Sequence, residues 1–215
     1  MKDLNTYIDH TLLKPAATPD DIVALCKEAD TYDLFAVCVN STYAYLAVNE
    51  LEDSAVRVAA TVGFPLGASS KSAKVAEAQW CVDQGVDEVD MVLNLGFLKA
   101  GLYKSVREEI SAVKNVMDRR ILKVIIETCD LTDDEKQMAC TIAQKAGADF
   151  VKTSTGFGSG GATLADVILM RETVGQDMQV KASGGIKTRE QAEAFIKAGA
   201  NRIGTSSGVA LVFPK

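Results

Sequence analysis

Three segments of this 215-residue chain follow one template: Gly85-Val86-Asp87-Glu88-Val89-Asp90, Gly147-Ala148-Asp149-Phe150-Val151-Lys152 and Gly199-Ala200-Asn201-Arg202-Ile203-Gly204. Each opens on a glycine that stops a helix, passes through a small residue and Asp or Asn, and enters a short apolar run. The runs are continuous rather than alternating, the pattern of parallel strands covered on both faces. Comparable runs occupy 35–39, 56–62, 122–127 and 179–182, with a further, more polar candidate at 7–12. Helical patterns lie between them. Thr18-Pro19-Asp20-Asp21 supplies an N-cap, a proline at the first helical position and early acids, ahead of apolar Ile22, Leu25, Cys26 and Ala29. Further helices are expected over 41–51, 70–84, from the fourth strand to about 117, and over 133–146, 164–174 and 189–198, with a last turn at 206–212. Eight strands alternating with helices, and no break in composition, predict one (β/α)8 TIM-barrel domain spanning 1–215. A doubly wound open sheet is the alternative.

The charge balance narrows the function. The net charge is −6 with pI near 4.9, and no Lys/Arg cluster dominates any segment, which argues against nucleic acid or an anionic membrane as partner. A small phosphorylated ligand stays open, because backbone N–H groups can hold a phosphate. Met1 to Asn5 shows no apolar leader and no run approaches a membrane span, so a cytoplasmic protein is expected. The five cysteines are odd in number, lack metal-ligand spacing, and read as reduced core residues. His10 is the only histidine, which makes a His-based zinc site or a Ser-His-Asp triad hard to build. Neither metal nor cofactor is expected. A homodimer is one assembly open to the chain.

Five charged residues sit inside apolar strands: Asp90, Lys123, Glu127, Lys152 and Lys181. A buried lysine must reach a cavity, find a partner or lose its charge. The template, with Val180-Lys181 repeating its last two steps, puts Asp90, Lys152, Gly204 and Lys181 at comparable heights near the C-terminal strand ends, where barrels carry their chemistry. Two ammonium groups about 6 Å apart at an effective dielectric of about 20 repel by about 2.8 kcal/mol. Bringing an ordinary lysine from about 10.4 to about 7 takes about 4.6 kcal/mol, so desolvation must supply the remainder. Such an amine attacks carbonyl groups. Asp90 would then stabilise the lysine that stays charged and move protons. The plainer reading is an Asp–Lys pair at a strand end. Lys123 and Glu127 read as a supporting network, Cys38 as a wall residue, and Asp9 with His10 as either mouth residues or a strand-end cap.

Two glycine-rich turns suggest an anion site. Ser183-Gly184-Gly185-Ile186 follows the seventh strand and Gly204-Thr205-Ser206-Ser207-Gly208 the eighth, where barrels commonly hold phosphate. Thr155-Gly156 would add a wall, and Gly158-Ser159-Gly160-Gly161 reads as a flexible loop edge.

Val151-Lys152-Thr153-Ser154-Thr155-Gly156, Lys181-Ala182-Ser183-Gly184-Gly185-Ile186, Val89-Asp90-Met91-Val92 and Ile8-Asp9-His10-Thr11-Leu12 together resemble the deoxyribose-phosphate aldolase family, in order and spacing, over essentially the whole chain. The resemblance implies a metal-independent class I aldolase of nucleoside catabolism that cleaves 2-deoxy-D-ribose 5-phosphate into glyceraldehyde 3-phosphate and acetaldehyde. By motif it makes Lys152 the Schiff-base nucleophile, Lys181 the cation that eases its deprotonation, and Asp90 the general acid/base. Asp9 would hold Lys181, with Cys38 and Thr153 beside the pocket. Gly156, Gly184, Gly185, Gly204, Ser206 and Ser207 would hold phosphate. Two departures stand out. Phe157 occupies a position where longer members carry lysine, and the chain stops at Phe213-Pro214-Lys215 without their terminal tyrosine. Another Schiff-base barrel aldolase acting on a ketose phosphate, and a phosphate-binding barrel without chemistry, are the competing readings.

Overall fold

The continuous apolar runs form the staves of a barrel. The computed structural model, which describes residues 3–213, closes eight parallel strands in chain order. They are β1 Ile8–Leu12, β2 Ala36–Asn40, β3 Arg57–Val62, β4 Glu88–Val92, β5 Ile121–Ile125, β6 Phe150–Lys152, β7 Gln179–Ser183 and β8 Arg202–Thr205. Ile8 pairs with Ile203 and Asp9 with Gly204, so β1 meets β8 and the open-sheet alternative is excluded.

The helices are α1 Pro19–Thr31, α2 Ala44–Glu50, α3 Lys71–Asp83, α4 Leu95–Lys99, α5 Tyr103–Val116, α6 Asp133–Lys145, α7 Leu164–Val174, α8 Arg189–Lys197 and α9 Gly208–Val212. Thr18, Thr132 and Thr188 form reciprocal capping boxes with Asp21, Glu135 and Gln191, satisfying the first free N–H groups of α1, α6 and α8. The template glycines 85, 147 and 199 follow α3, α6 and α8 at positive φ, the conformation that ends a helix cleanly. The outer faces of the strands pack on helix residues such as Ile22, Ala78, Ile110, Cys140 and Val167 to form the apolar layer.

The structure differs from the sequence reading at several points. The single helix expected to reach 117 is two, because Asn94 caps a short α4 and Gly101, at φ +72, turns the chain before α5. A 3-10 turn over Leu4–Tyr7 delays β1 to Ile8. The expected strand at 122–127 ends at Ile125, since Glu127 adopts a left-handed conformation at φ 53. Ladder register aligns Lys152 with Lys181 and Lys181 with Arg202, whereas equal template offsets placed Gly204 there; Gly204 instead pairs with Ser183. Met1, Lys2, Pro214 and Lys215 lie outside the described residues. Among the described residues no helix is long and apolar enough to cross a membrane.

Candidate active site

The barrel interior is ionic. Asp9, Glu88, Asp90, Lys123, Lys152, Lys181 and Arg202 are all buried there, three carboxylates against four basic side chains. Successive side chains of a strand point to opposite faces, so Glu88 and Asp90 both face inward while Val89 packs outward on the helices. Asp90 is the hub. Its Oδ1 accepts from Lys123 Nζ at 2.7 Å, and its Oδ2 from both Lys152 Nζ and Lys181 Nζ at 2.8 Å. Lys181 Nζ also donates to Asp9 Oδ2, Lys123 Nζ pairs with Glu88, and Arg202 bridges Asp9 Oδ1 and Glu88 Oε1.

These contacts set the charges. Burial alone would push the Asp90 carboxyl up, but Lys123, Lys152 and Lys181 outweigh it and hold Asp90 well below the usual carboxylate range. Asp9 follows the same balance, with burial opposed by Arg202, then Lys181 and Lys123. Burial would lower Lys181; Asp9 and Asp90 overcome that and raise it, so Lys181 stays a cation. The cations therefore outnumber the anions by one, and the cluster balances when one amine is neutral.

Lys152 is the member of this cluster that meets the cavity at the C-terminal mouth of the barrel. The cavity, about 270 Å3, opens at the C-terminal ends of β1 and β6–β8 and is lined by Lys152, Thr155 to Phe157, Ser183 to Ile186 and Gly204 to Ser206. Lys14 and Lys187 reach the same wall. Among the described residues, the amides of Gly156, Gly185 and Ser206 donate to no protein acceptor. Two glycine turns and free N–H groups across a cavity from an amine can seat an anion whose far end meets Lys152.

The remaining candidates fall elsewhere. Thr153 Oγ1 donates to Ser183 O and accepts from Ser183 N, both at 3.1 Å, so it ties β6 to β7 rather than facing the cavity. Ser207 does not line the cavity; its N–H is taken by Thr205 Oγ1 at 2.9 Å. Cys38 packs with Leu13 and Ala59 against Phe64, 3.9 Å from Asp90 Oδ2, and burial followed by the Asp90 charge pushes its thiol up. It is fully buried and does not line the cavity. Gly204 has a further role: a Cβ there would stand 3.0 Å from Lys181 Cε, so the glycine leaves room for that side chain.

Sequence reasoning missed how two supports act. Lys123 belongs to the hub itself, bound directly to Asp90. Glu127 lies apart from the lysines, and its carboxylate accepts both the Thr155 amide and the Thr155 hydroxyl, whose oxygen in turn accepts the Phe157 N–H at 3.0 Å. The left-handed φ of Glu127, uncommon for a residue with a side chain, aims it under that turn. Phe157, half exposed, meets the Phe64 ring edge-on with centroids 5.4 Å apart, forming an apolar lip.

The glycine loop after β6 is a packed joint rather than a flexible edge. Ala162 N donates to Ser183 O and Gly184 O, and a Cβ on Gly161 would collide with the Gly184 carbonyl oxygen. Gly161→Ala should push this loop off the Gly184–Gly185 turn, raising KM for a phosphorylated substrate by about tenfold and lowering stability by about 1–3 kcal/mol. Steady-state kinetics and urea melts check this. An unchanged KM would mean the two turns are not coupled.

Residues 4–212 match the DeoC/LacD family aldolase. The chain is 55% identical over 209 residues to the deoxyribose-phosphate aldolase of Streptococcus gordonii, covering 97% of this chain and 95% of that protein. Among solved structures it is similar to QR15, an aldolase (40% identity, TM-score 0.95, 99% and 95% covered). It is also similar to the tetrameric deoxyribose phosphate aldolase of Aeropyrum pernix (34% identity, TM-score 0.90, 97% and 89% covered).

Proposed function

The chain belongs to the DeoC/LacD family of aldolases, and from that premise we propose that it reversibly cleaves 2-deoxy-D-ribose 5-phosphate into D-glyceraldehyde 3-phosphate and acetaldehyde through a Schiff base on Lys152. The observation that carries this reading is the position of Lys152, which alone among the described residues joins the buried Asp90 hub to a cavity walled by the two anion turns.

The cluster suits the chemistry. Neutral Lys152 attacks the open-chain aldehyde of the sugar and forms a carbinolamine. Loss of water, with protons carried by Asp90 and Lys181, leaves a protonated imine at C1. That imine draws the electrons of the C2–C3 bond into a C1–C2 enamine as the C3 hydroxyl gives up its proton, releasing glyceraldehyde 3-phosphate. The remaining enamine takes a proton at C2 and hydrolyses to acetaldehyde and free Lys152. In the resting site Asp90 is in contact with the Lys123, Lys152 and Lys181 amino groups and serves as counter-ion. While Lys152 is a neutral amine or carbinolamine, Asp90 faces one cation fewer and takes a proton more readily; the protonated imine then restores that charge.

The turns Gly156, Gly184–Gly185 and Gly204–Ser206 would hold the phosphate, supplying binding energy remote from the breaking bond and fixing the sugar over the amine. Lys14 and Lys187 at the rim would supply the positive field that Phe157 does not. We read residues 1–215 as one catalytic domain, since β1 and β8 close a single barrel. Five free cysteines, four of them buried, fit a reducing cytoplasmic setting.

Borohydride reduction in the presence of acetaldehyde, followed by peptide mass mapping, tests the assignment. The expected adduct adds one ethyl group to Lys152. Labelling of another lysine, or of none, would overturn the Schiff-base reading.

A further inference from the structure

The mechanism uses Lys152, Lys181 and Asp90, but the floor of the barrel beneath them is also built from buried charges. Arg202, the first residue of β8, is buried and lies with its guanidinium 3.6 Å above the Phe35 ring and 5.6 Å from the centre of Phe150. Its Nη1 donates to Asp9 Oδ1 and its Nη2 to Glu88 Oε1 at 2.9 Å. The other Asp9 oxygen holds Lys181, whose Nζ touches Asp90 Oδ2 at 2.8 Å, and the same Oδ2 takes Lys152. A continuous chain of contacts thus runs from the floor, through Asp9, Lys181 and Asp90, to the reactive amine.

Only one member of that chain keeps its charge whatever the pH. A guanidinium is not deprotonated in a folded protein, while every other link can gain or lose a proton. A planar fork can also grip two carboxylates while stacking on a ring, which a lysine ammonium cannot. We propose that Arg202 is a positioning residue that fixes Asp9, and through Asp9 the Lys181 ammonium, so that protons exchange only among Lys181, Asp90, Lys152 and the bound substrate. The inference deepens the aldolase reading and depends on it. Phe35 and Phe150 pack on the guanidinium, which is buried with its two carboxylates, and the low-dielectric setting strengthens both ion pairs.

The direction of the effect follows from what faces Asp9: Arg202 from β8, Lys181 from β7, Lys123 from β5 at 3.8 Å, and Asp90 from β4, with Glu88 beyond the guanidinium. Without the guanidinium, burial and the Asp90 charge weigh more heavily and Asp9 takes up a proton at higher pH. Lys181 then loses one of its two carboxylate partners and leans on Asp90 alone. Activity should therefore fail earlier as the pH is lowered.

The experiment compares wild type, Arg202→Met and Arg202→Lys by borohydride trapping with acetaldehyde and by pH profiles of kcat and KM. Trapping counts the competent sites, so rates are expressed per trapped Lys152. Arg202→Met is expected to trap at Lys152, with kcat per site down about a hundredfold, KM within about twofold, and the acid limb raised by about one pH unit or more. Arg202→Lys should restore part of kcat and give an intermediate limb. A wild-type rate per site and an unmoved limb in Arg202→Met would overturn the inference while leaving the aldolase reading standing. If wild type itself traps nothing at Lys152, both fall. Should Arg202→Met not fold, Phe35→Leu carries the test. It keeps the guanidinium and both carboxylates, so the same limb should shift in the same direction by less, and an unmoved limb would count against the proposal.

Discussion

Lys152→Met is expected to lower turnover of 2-deoxyribose 5-phosphate by about four orders of magnitude or more, because no other amine of the cluster meets the cavity. The fold should survive this change. Methionine is unbranched and of similar length, and it can fill an irregular space among the β6 neighbours. The charges also permit it. Asp90 keeps Lys123 on Oδ1 and Lys181 on Oδ2, and the interior becomes three carboxylates against three cations. Binding of the sugar phosphate should persist, since the free amides of Gly156, Gly185 and Ser206 are untouched. Calorimetric titration with 2-deoxyribose 5-phosphate and a coupled assay for glyceraldehyde 3-phosphate separate the two effects. Turnover within about tenfold of wild type would eliminate Lys152 as the nucleophile.

How much of this was legible in the sequence depends on what each residue's signal was. Lys152, Lys181 and Asp90 stood out because a charge inside an apolar run has few explanations. The alternation of runs and helices led to the barrel, since parallel strands buried on both faces have few stable architectures. Arg202 and Glu88 were not legible as part of the hub, although both lie in the template. They occupy its variable slot, at the N-terminal end of a strand, where an exposed charge is ordinary. Only the stagger between strands carries them under Asp9, and stagger is fixed by closing β1 on β8. Glu127 was misplaced for a related reason. Its strand was extended two residues too far, and the left-handed turn that aims its carboxylate at Thr155 has no glycine to announce it. Thr153 resembled a pocket residue because it follows Lys152, yet side chains of adjacent residues in extended chain diverge, and its hydroxyl goes to Ser183.

Asp90→Asn should be the most damaging change to the fold as well as to the rate. The substitution leaves Lys123, Lys152 and Lys181 around a neutral amide, and loss of one partner from a buried ion pair costs about 3–5 kcal/mol. Part of that loss can be tested by pH alone. The Asp90 carboxyl is held well below the usual range in the folded chain, by an excess of lysine attraction over burial. An unfolded aspartate titrates at about 3.9. The stabilisation from Asp90 is therefore fully present above that value and declines as pH falls toward the lower, folded one. The amide of the variant has no such dependence. Urea melts of the two proteins should differ most at neutral pH, and the gap should narrow from about pH 4 downward. A gap that stayed constant into acid would show that the cost of the variant is steric, and that the charge of Asp90 does not hold the three lysines together. The rate should fall at every pH, since the amide can neither neutralise Lys181 nor pass a proton to the carbinolamine on Lys152.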